Sequence, residues 1–368
     1  MGKSDFWSAV ALMIGTVAGA SVLGFPYVFA KVGFLTGLLT LIIVGSAATL
    51  MTLYVAELSL IEKKKHHLAG FAKKYFGNKG KLFTLLVETF GIYTALIAYL
   101  IAVGIALADL LGGSPIVLGT FFFVIVAALI LFNIKRVAKV DMFFAALKIF
   151  LLLFFGVVFF SSVNISNVNV LNISKVFYPF GIVLFACMGY NVIPEMLDIL
   201  KDKRKIGKAI LTAMVFVIGI YLLFSYSLLG SVGKDVNEVA VVGLPAFGKI
   251  GDLFVLIAIT IPFIALADAI KHIYTVDFGL HKKLSWFLSA FIPFIIYVYV
   301  KLGFVTFLQI SGTYSGGLMG LLTMFMVLKA RQKKKKSRFV VPGGNLPIYY
   351  SIAVFAFGII YQTLMLLL

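Results

Sequence analysis

Apolar runs of about 20 residues, the length that crosses ~30 Å of hydrocarbon as a helix, recur along the whole chain with short polar connections between them. Read from one polar connection to the next, the pattern predicts eleven spans, at 6–29, 34–61, 82–111, 115–132, 142–163, 176–200, 206–232, 250–271, 284–300, 304–328 and 346–368. The chain therefore reads as an all-α polytopic membrane protein. Its first segment runs well past a signal-peptide core and holds small polar residues, so it reads as a span and not as a secretory signal. After span two, the segment 66–81 is basic, with Leu68, Phe71 and Phe76 on one helical face, the pattern of a helix lying on the inner membrane surface.

Two spans break the pattern. In the first, GTVAGASVLGFP places Gly15, Gly19, Gly24 and Pro26 within one short stretch. Glycine lifts the steric penalty for leaving helical geometry, and proline removes a backbone donor. The expectation is a half-helix to Ile14, an opening over Gly15–Ala20, and a second half-helix containing Pro26. A helix-packing face of small residues is the plainer explanation. The sixth span repeats the anomaly, with Phe185, Ala186, Cys187, Met188, Gly189, Tyr190, Asn191 and Pro194 together. Five spans separate the two starts, and five is odd, so the second set runs with inverted topology. Paired interrupted helices in corresponding positions of inverted halves point to a transporter's binding site. The division that follows is 1–163 for a first repeat of five spans, 176–330 for a second, and 345–368 for a peripheral eleventh helix.

Composition agrees with this reading. The chain is 62% hydrophobic and 12% charged, with a mean hydropathy of +1.10, against ~25% charged residues in soluble domains. A single cysteine, Cys187, excludes an intramolecular disulfide and a CxxC metal site. The net charge of +18 resembles a nucleic-acid signature until the charges are mapped. Of the 32 basic residues, 26 fall at the N-terminus and in the even-numbered connections, among them the seven lysines from Lys63 to Lys81 and the run from Lys329 to Arg338. By the positive-inside rule the N-terminus is cytoplasmic and the C-terminus extracytoplasmic, in a cell membrane. The charge is topology, with added attraction to anionic inner-leaflet lipids and no call for nucleic acid. The outer loop after span five carries two Asn-x-Ser sequons, at Asn164 and Asn172.

The first break, with its G-T-x-x-G-A-x-x-L-x-x-P pattern from Gly15 to Pro26, resembles the amino acid/auxin permease family and the related bacterial aromatic amino acid permeases of the amino acid-polyamine-organocation superfamily. The stretch GYNVIPEMLDILKDKRKIGKAI after the second break is similar to theirs as well. One departure is Ser21, where many members have glycine. The resemblance implies the leucine-transporter-type fold of five plus five inverted spans and ion- or proton-coupled uptake of amino acids, neutral or aromatic.

With an amino acid as ligand, the backbone of the breaks acquires roles. The N–H groups of Ala20, Ser21 and Val22, beside Gly19, begin a half-helix whose positive dipole end suits a carboxylate. Carbonyls of Val17, Ala18, Phe185 and Ala186 suit the ammonium. Met188, Asn191, Tyr93, Tyr99 and Tyr314 are candidates to meet the substrate's own side chain, and each is also an ordinary core residue. Charged residues inside spans are costly and often functional; here they are Glu88, Lys148 and Asp268. Lys148 has a long stem that could reach the headgroups. In leucine-transporter-like folds a sodium ion joins spans one, five and eight, and a span-five amine in its place would exchange a proton. Thr260 on span eight, with backbone carbonyls, leaves sodium open as the alternative. No cofactor or metal is expected: His66 and His67 are neighbours and do not share a helix face, and the first break lacks the Asp and Asn a divalent-metal carrier needs. The lone H-x4-D from His272 to Asp277 has no partner nucleophile, so an acyltransferase is not supported. A non-transporting amino acid receptor on the same fold is not separable by sequence.

Overall fold

Hydrocarbon offers backbone N–H and C=O groups no water, so a chain of this hydropathy satisfies them within helices. The computed structural model describes residues 2–62, 67–132, 138–244, 247, 249–333 and 337–367. The basic stretch 63–66 with His66, Lys135 and Arg136, the lysines at 334–336, and Leu368 lie outside the described residues.

The first eight helices are α1 (Gly2–Val17), α2 (Phe25–Val32), α3 (Phe34–Glu62), α4 (Leu68–Leu111), α5 (Pro115–Leu131), α6 (Ala138–Phe160), α7 (Ile165–Val168) and α8 (Phe180–Cys187). They are followed by α9 (Ile193–Ile199), α10 (Ile206–Val232), α11 (Ile250–His272), α12 (Lys282–Tyr299), α13 (Phe304–Ile310), α14 (Gly317–Gln332) and α15 (Leu346–Leu367). A π-helical segment, Ser311–Gly316, carries α13 into α14. Among the described residues, eight helical segments are long and apolar enough to cross a membrane, or nine when the bent pair α1–α2 is taken as one. The expected fourth and ninth spans coincide with α5, an apolar helix of 17 residues, and with α12, of 18 residues; both fall outside that count. The molecule is a multi-pass, all-helical membrane protein.

Two long helices organise the packing. α10 lies against α1, α2, α3 and α6, and α4 lies against α5, α11, α12 and α13. Phe25, Phe155, Tyr221 and Phe254 are fully buried in this core, with Phe25 against Tyr221 and Phe155 against Phe254.

The basic amphipathic segment after span two has a different partner from the one its pattern suggested. From residue 68 it forms the start of α4, with a kink inside it at Gly77, whose φ of 68° and ψ of −162° interrupt the helix. Its apolar residues Phe71 and Ala72 are 0% exposed. Lys74 and Tyr75 both bond to Glu62, the Tyr75 hydroxyl at 2.5 Å, and Lys329 of α14 stands 4.0 Å from the Phe76 ring centre. Protein, not lipid, covers this face. Amphipathicity states that an apolar face exists and leaves open what covers it.

At the same end, Glu57 of α3 is buried and receives Arg331 of α14 in a two-pronged pair, both N···O distances being 2.9 Å. The N–H of Val341 adds a third donor to the carboxylate at 2.8 Å. A buried carboxylate is tolerated when its lone pairs are met in this way. The cluster fixes α3, α14 and the connection to α15 relative to one another.

Candidate functional site

Both irregular spans are broken helices of one local design. α1 ends at Val17, Ala18 and Gly19 leave helical geometry, and a 3-10 turn over Ala20–Gly24 leads into α2, with Pro26 at its second position. The Gly19 backbone is extended (φ −95°, ψ 179°), and the two halves of the span are bent by 46°. α8 ends at Cys187, Met188 is extended (φ −72°, ψ 113°), and Gly189 precedes a 3-10 turn over Tyr190–Val192. α9 then starts with Pro194 at its second position. Proline suits the first turn of a helix because the N–H it lacks would have no partner there.

The first opening is shorter than the expected Gly15–Ala20. Gly15 stays helical, and a Cβ on it would stand 3.3 Å from the Cβ of Ala145 on α6. Its lack of a side chain serves the close approach of α1 to α6.

A helix end leaves its last four carbonyls without intrahelical donors. Here side chains from other helices take up three of them. Lys148 of α6, 7% exposed, donates from Nζ to the Gly15 carbonyl at 3.3 Å. The Tyr221 hydroxyl of α10 lies 2.7 Å from the Val17 carbonyl and 3.0 Å from the Ala186 carbonyl. The breaks also touch directly: a Cβ on Gly189 would stand 2.9 Å from Val17 Cγ2 and 2.8 Å from Met13 Cε.

Of the residues singled out by sequence, Val17, Ala18, Ala20, Ser21, Val22 and Ala186 are buried at the breaks, with Gly19, Phe185 and Met188 half-buried beside them. Asn191 is exposed. Thr260 of α11 donates to the Leu256 carbonyl of its own helix at 2.7 Å. α11 packs against both α6 and the 3-10 turn after Gly19, which brings spans one, five and eight together. The Asp268 side chain is 58% exposed and stands 4.0 Å from Lys271 on the same helix. Tyr93 is bonded to the Tyr274 hydroxyl at 2.7 Å and the Leu288 carbonyl at 2.9 Å. Tyr314 meets Thr363 of α15 at 3.1 Å.

Two participants had no place in the sequence reading. Tyr221 sits in an apolar run where a tyrosine reads as core, so no pattern marked it. The second is the connection between α10 and α11. Val239, Ala240 and Val241 are 0% exposed, and the Ala240 N–H donates to the Leu23 carbonyl at 2.9 Å. The run VAVV within a loop was a legible signal that the connection packs inward. It covers the α2 side of the first break. Two cavities, of about 300 and 140 Å³, lie elsewhere, one beside Phe159 and Asn237 and one between Gln309 and Gln362.

The fold has a solved counterpart: the crystal structure of MhsT in complex with L-phenylalanine superposes with a TM-score of 0.67 over 97% of each chain, at 14% identity. The shared architecture is the leucine-transporter fold. In sequence, the chain is 24% identical to the tyrosine-specific transport system 1 of Haemophilus influenzae, over 95% of its own length and 93% of that protein's. A shorter stretch of 107 residues is 31% identical to vacuolar amino acid transporter 5 of Schizosaccharomyces pombe, spanning 28% of this chain and 25% of that relative. These relatives are transporters, not enzymes. Residues 2–364, nearly the whole chain, match the model described as the tryptophan/tyrosine permease family, and the chain belongs to that family.

Proposed function

We propose that the protein is a secondary active transporter that moves an aromatic amino acid across a cell membrane with protons. The observation that carries the proposal is the pair of facing breaks, whose unwound backbone is buried and held in position by side chains of other helices. The carboxylate would meet the N–H groups of Ala20, Ser21 and Val22 at the start of the 3-10 turn, beside Gly19. The ammonium would meet carbonyls of Val17, Ala18, Phe185 and Ala186, and the substrate's side chain would lie toward Met188 and Asn191. The phenylalanine in the MhsT complex and the tyrosine in the name of the Haemophilus relative support an aromatic substrate.

The architecture that goes with this function is eleven spans in two inverted sets of five, 1–163 and 176–330, with 345–368 peripheral. The N-terminus is cytoplasmic and the basic loops face anionic inner-leaflet lipid. Coupling runs through Lys148, with Thr260 and Asp268 on the neighbouring α11. An amine that holds the Gly15 carbonyl when charged and releases it when neutral would tie protonation to the first break.

Purified protein in proteoliposomes loaded with unlabelled L-tyrosine or L-tryptophan should take up the labelled amino acid by counterflow. An inwardly directed proton gradient should then drive net uptake without sodium. Binding without counterflow would make the protein a receptor, and uptake that requires sodium would replace the proton in this scheme.

A further inference from the structure

We infer that Tyr221 is a positioning residue that sets the ammonium cradle by tying the two breaks together. The inference rests on the transport reading and adds to it a residue on α10, outside both broken helices.

The hydroxyl of Tyr221 touches one carbonyl from each break, at 2.7 and 3.0 Å. Val17 is the last residue of α1, and Ala186 is next to last in α8, so neither carbonyl has a donor within its own helix. Among the described residues, Tyr221 is the side chain that bonds to both breaks. Its position is not free to adjust. The residue is 0% exposed, and its ring stands edge-on to Phe25, with centroids 5.3 Å apart and an interplanar angle of 69°.

A phenol has one hydrogen to donate. Shared between two acceptors, it leaves both carbonyls short of a full partner, and each keeps a second lone pair. An ammonium has three donors and makes shorter, charge-assisted bonds. Two carbonyl oxygens that one hydroxyl reaches at 2.7 and 3.0 Å lie close enough together for a single ammonium to bond both. The phenol therefore fixes the separation and direction of two carbonyls that an incoming ammonium would use, while leaving them under-satisfied. A phenylalanine would fill the same volume and keep the edge contact with Phe25, so what the hydroxyl adds is the bridge.

The test uses purified full-length protein and measures the affinities of L-tyrosine, L-tryptophan and L-phenylalanine, each beside its deaminated analogue. In Tyr221→Phe the amino acids should bind about tenfold more weakly, a change of about 1.4 kcal/mol, while the deaminated analogues bind as to the wild type. The preference for the amine then shrinks by the same factor. Tyr221→4-aminophenylalanine places two N–H hydrogens at the same point and should keep the full preference; its loss there overturns the inference even if Tyr221→Phe does not fold. Equal weakening of amino acids and deaminated analogues would mean a purely structural tyrosine and would also overturn it. A wild type that binds none of the amino acids removes the transport reading itself, whereas a wild type that binds beside a Tyr221→Phe variant with unchanged preference removes this inference alone.

Discussion

The two breaks share a plan and differ in what surrounds them. Each runs from a helix end through two non-helical residues, the second a glycine, into a 3-10 turn and then a helix with proline second. After Gly19, however, the turn and the helix are lined inward: Ala20 to Pro26 are all buried, and the Ala240 loop lies on Leu23. After Gly189 the chain opens outward, with Asn191, Glu195 and Asp198 exposed. The first break is held at Gly15 by Lys148, a lysine contact with no counterpart at the second break among the described residues. One local device thus serves as a sealed, anchored end on one side and as a polar mouth on the other. The distinction lies in the tertiary partners and not in the pattern of glycine and proline.

The largest effect should come from the anchor peculiar to the first break. Lys148→Ala should abolish the stimulation of uptake by a proton gradient while leaving amino acid binding measurable. Lys148→Arg separates two roles for the residue. A side chain that merely reaches the headgroups tolerates arginine, whereas a proton carrier does not, because arginine's pKa stays above about 12. Sodium-dependent uptake together with a fully active Lys148→Arg would falsify the coupling proposal and leave the breaks differing only in their surroundings.

The next effect concerns the glycines. A Cβ on Gly19 would meet the Val17 carbonyl oxygen at 3.5 Å and Ser21 Oγ at 3.8 Å, which is ordinary contact. A Cβ on Gly189 would drive into Val17 at 2.9 Å. Gly189→Ala should therefore weaken amino acid binding by about tenfold, about 1.4 kcal/mol, within the usual range for overpacking. Gly19→Ala should change it by less than about threefold on the same scale. Isothermal titration on the two purified variants decides, and the reverse order would mean that the breaks do not press on each other as described.

How much of this was legible in sequence follows from which signals are local. Glycine and proline mark the places where a helix cannot continue, so both breaks were placed within a few residues. Gly15 was assigned to the opening when it serves packing on Ala145, because a glycine that permits close approach looks the same in sequence as one that permits unwinding. The inward face of the start of α4 was visible as a face, but its contact with Lys329 of α14 depended on a residue distant in sequence. Tyr221 was out of reach for a related reason. Its role consists of two carbonyls, at Val17 and Ala186, and a backbone carbonyl carries no residue-type signal at all.

The smallest expected effect tests whether the second break moves in the working protein. Cys187, the final residue of α8, is 0% exposed, and its sulfur lies 3.8 Å from where a Cβ on Gly45 of α3 would stand. A thiol reagent can reach it only when the packing around the end of α8 opens, so the labelling rate measures that local opening. Because it is the protein's one cysteine, the signal needs no background mutations. On the proposed binding mode, an amino acid bridging the two breaks would stabilise the closed arrangement and should slow labelling by at least about twofold, as expected when a ligand favours the state that excludes the reagent. Gly189→Ala should lose this protection, since its added methyl group weakens the ligand that supplies it, whereas Gly19→Ala should retain it. Labelling of the wild type at one rate with and without saturating amino acid, while transport proceeds, would place the ligand away from the end of α8 and leave the first break to act alone.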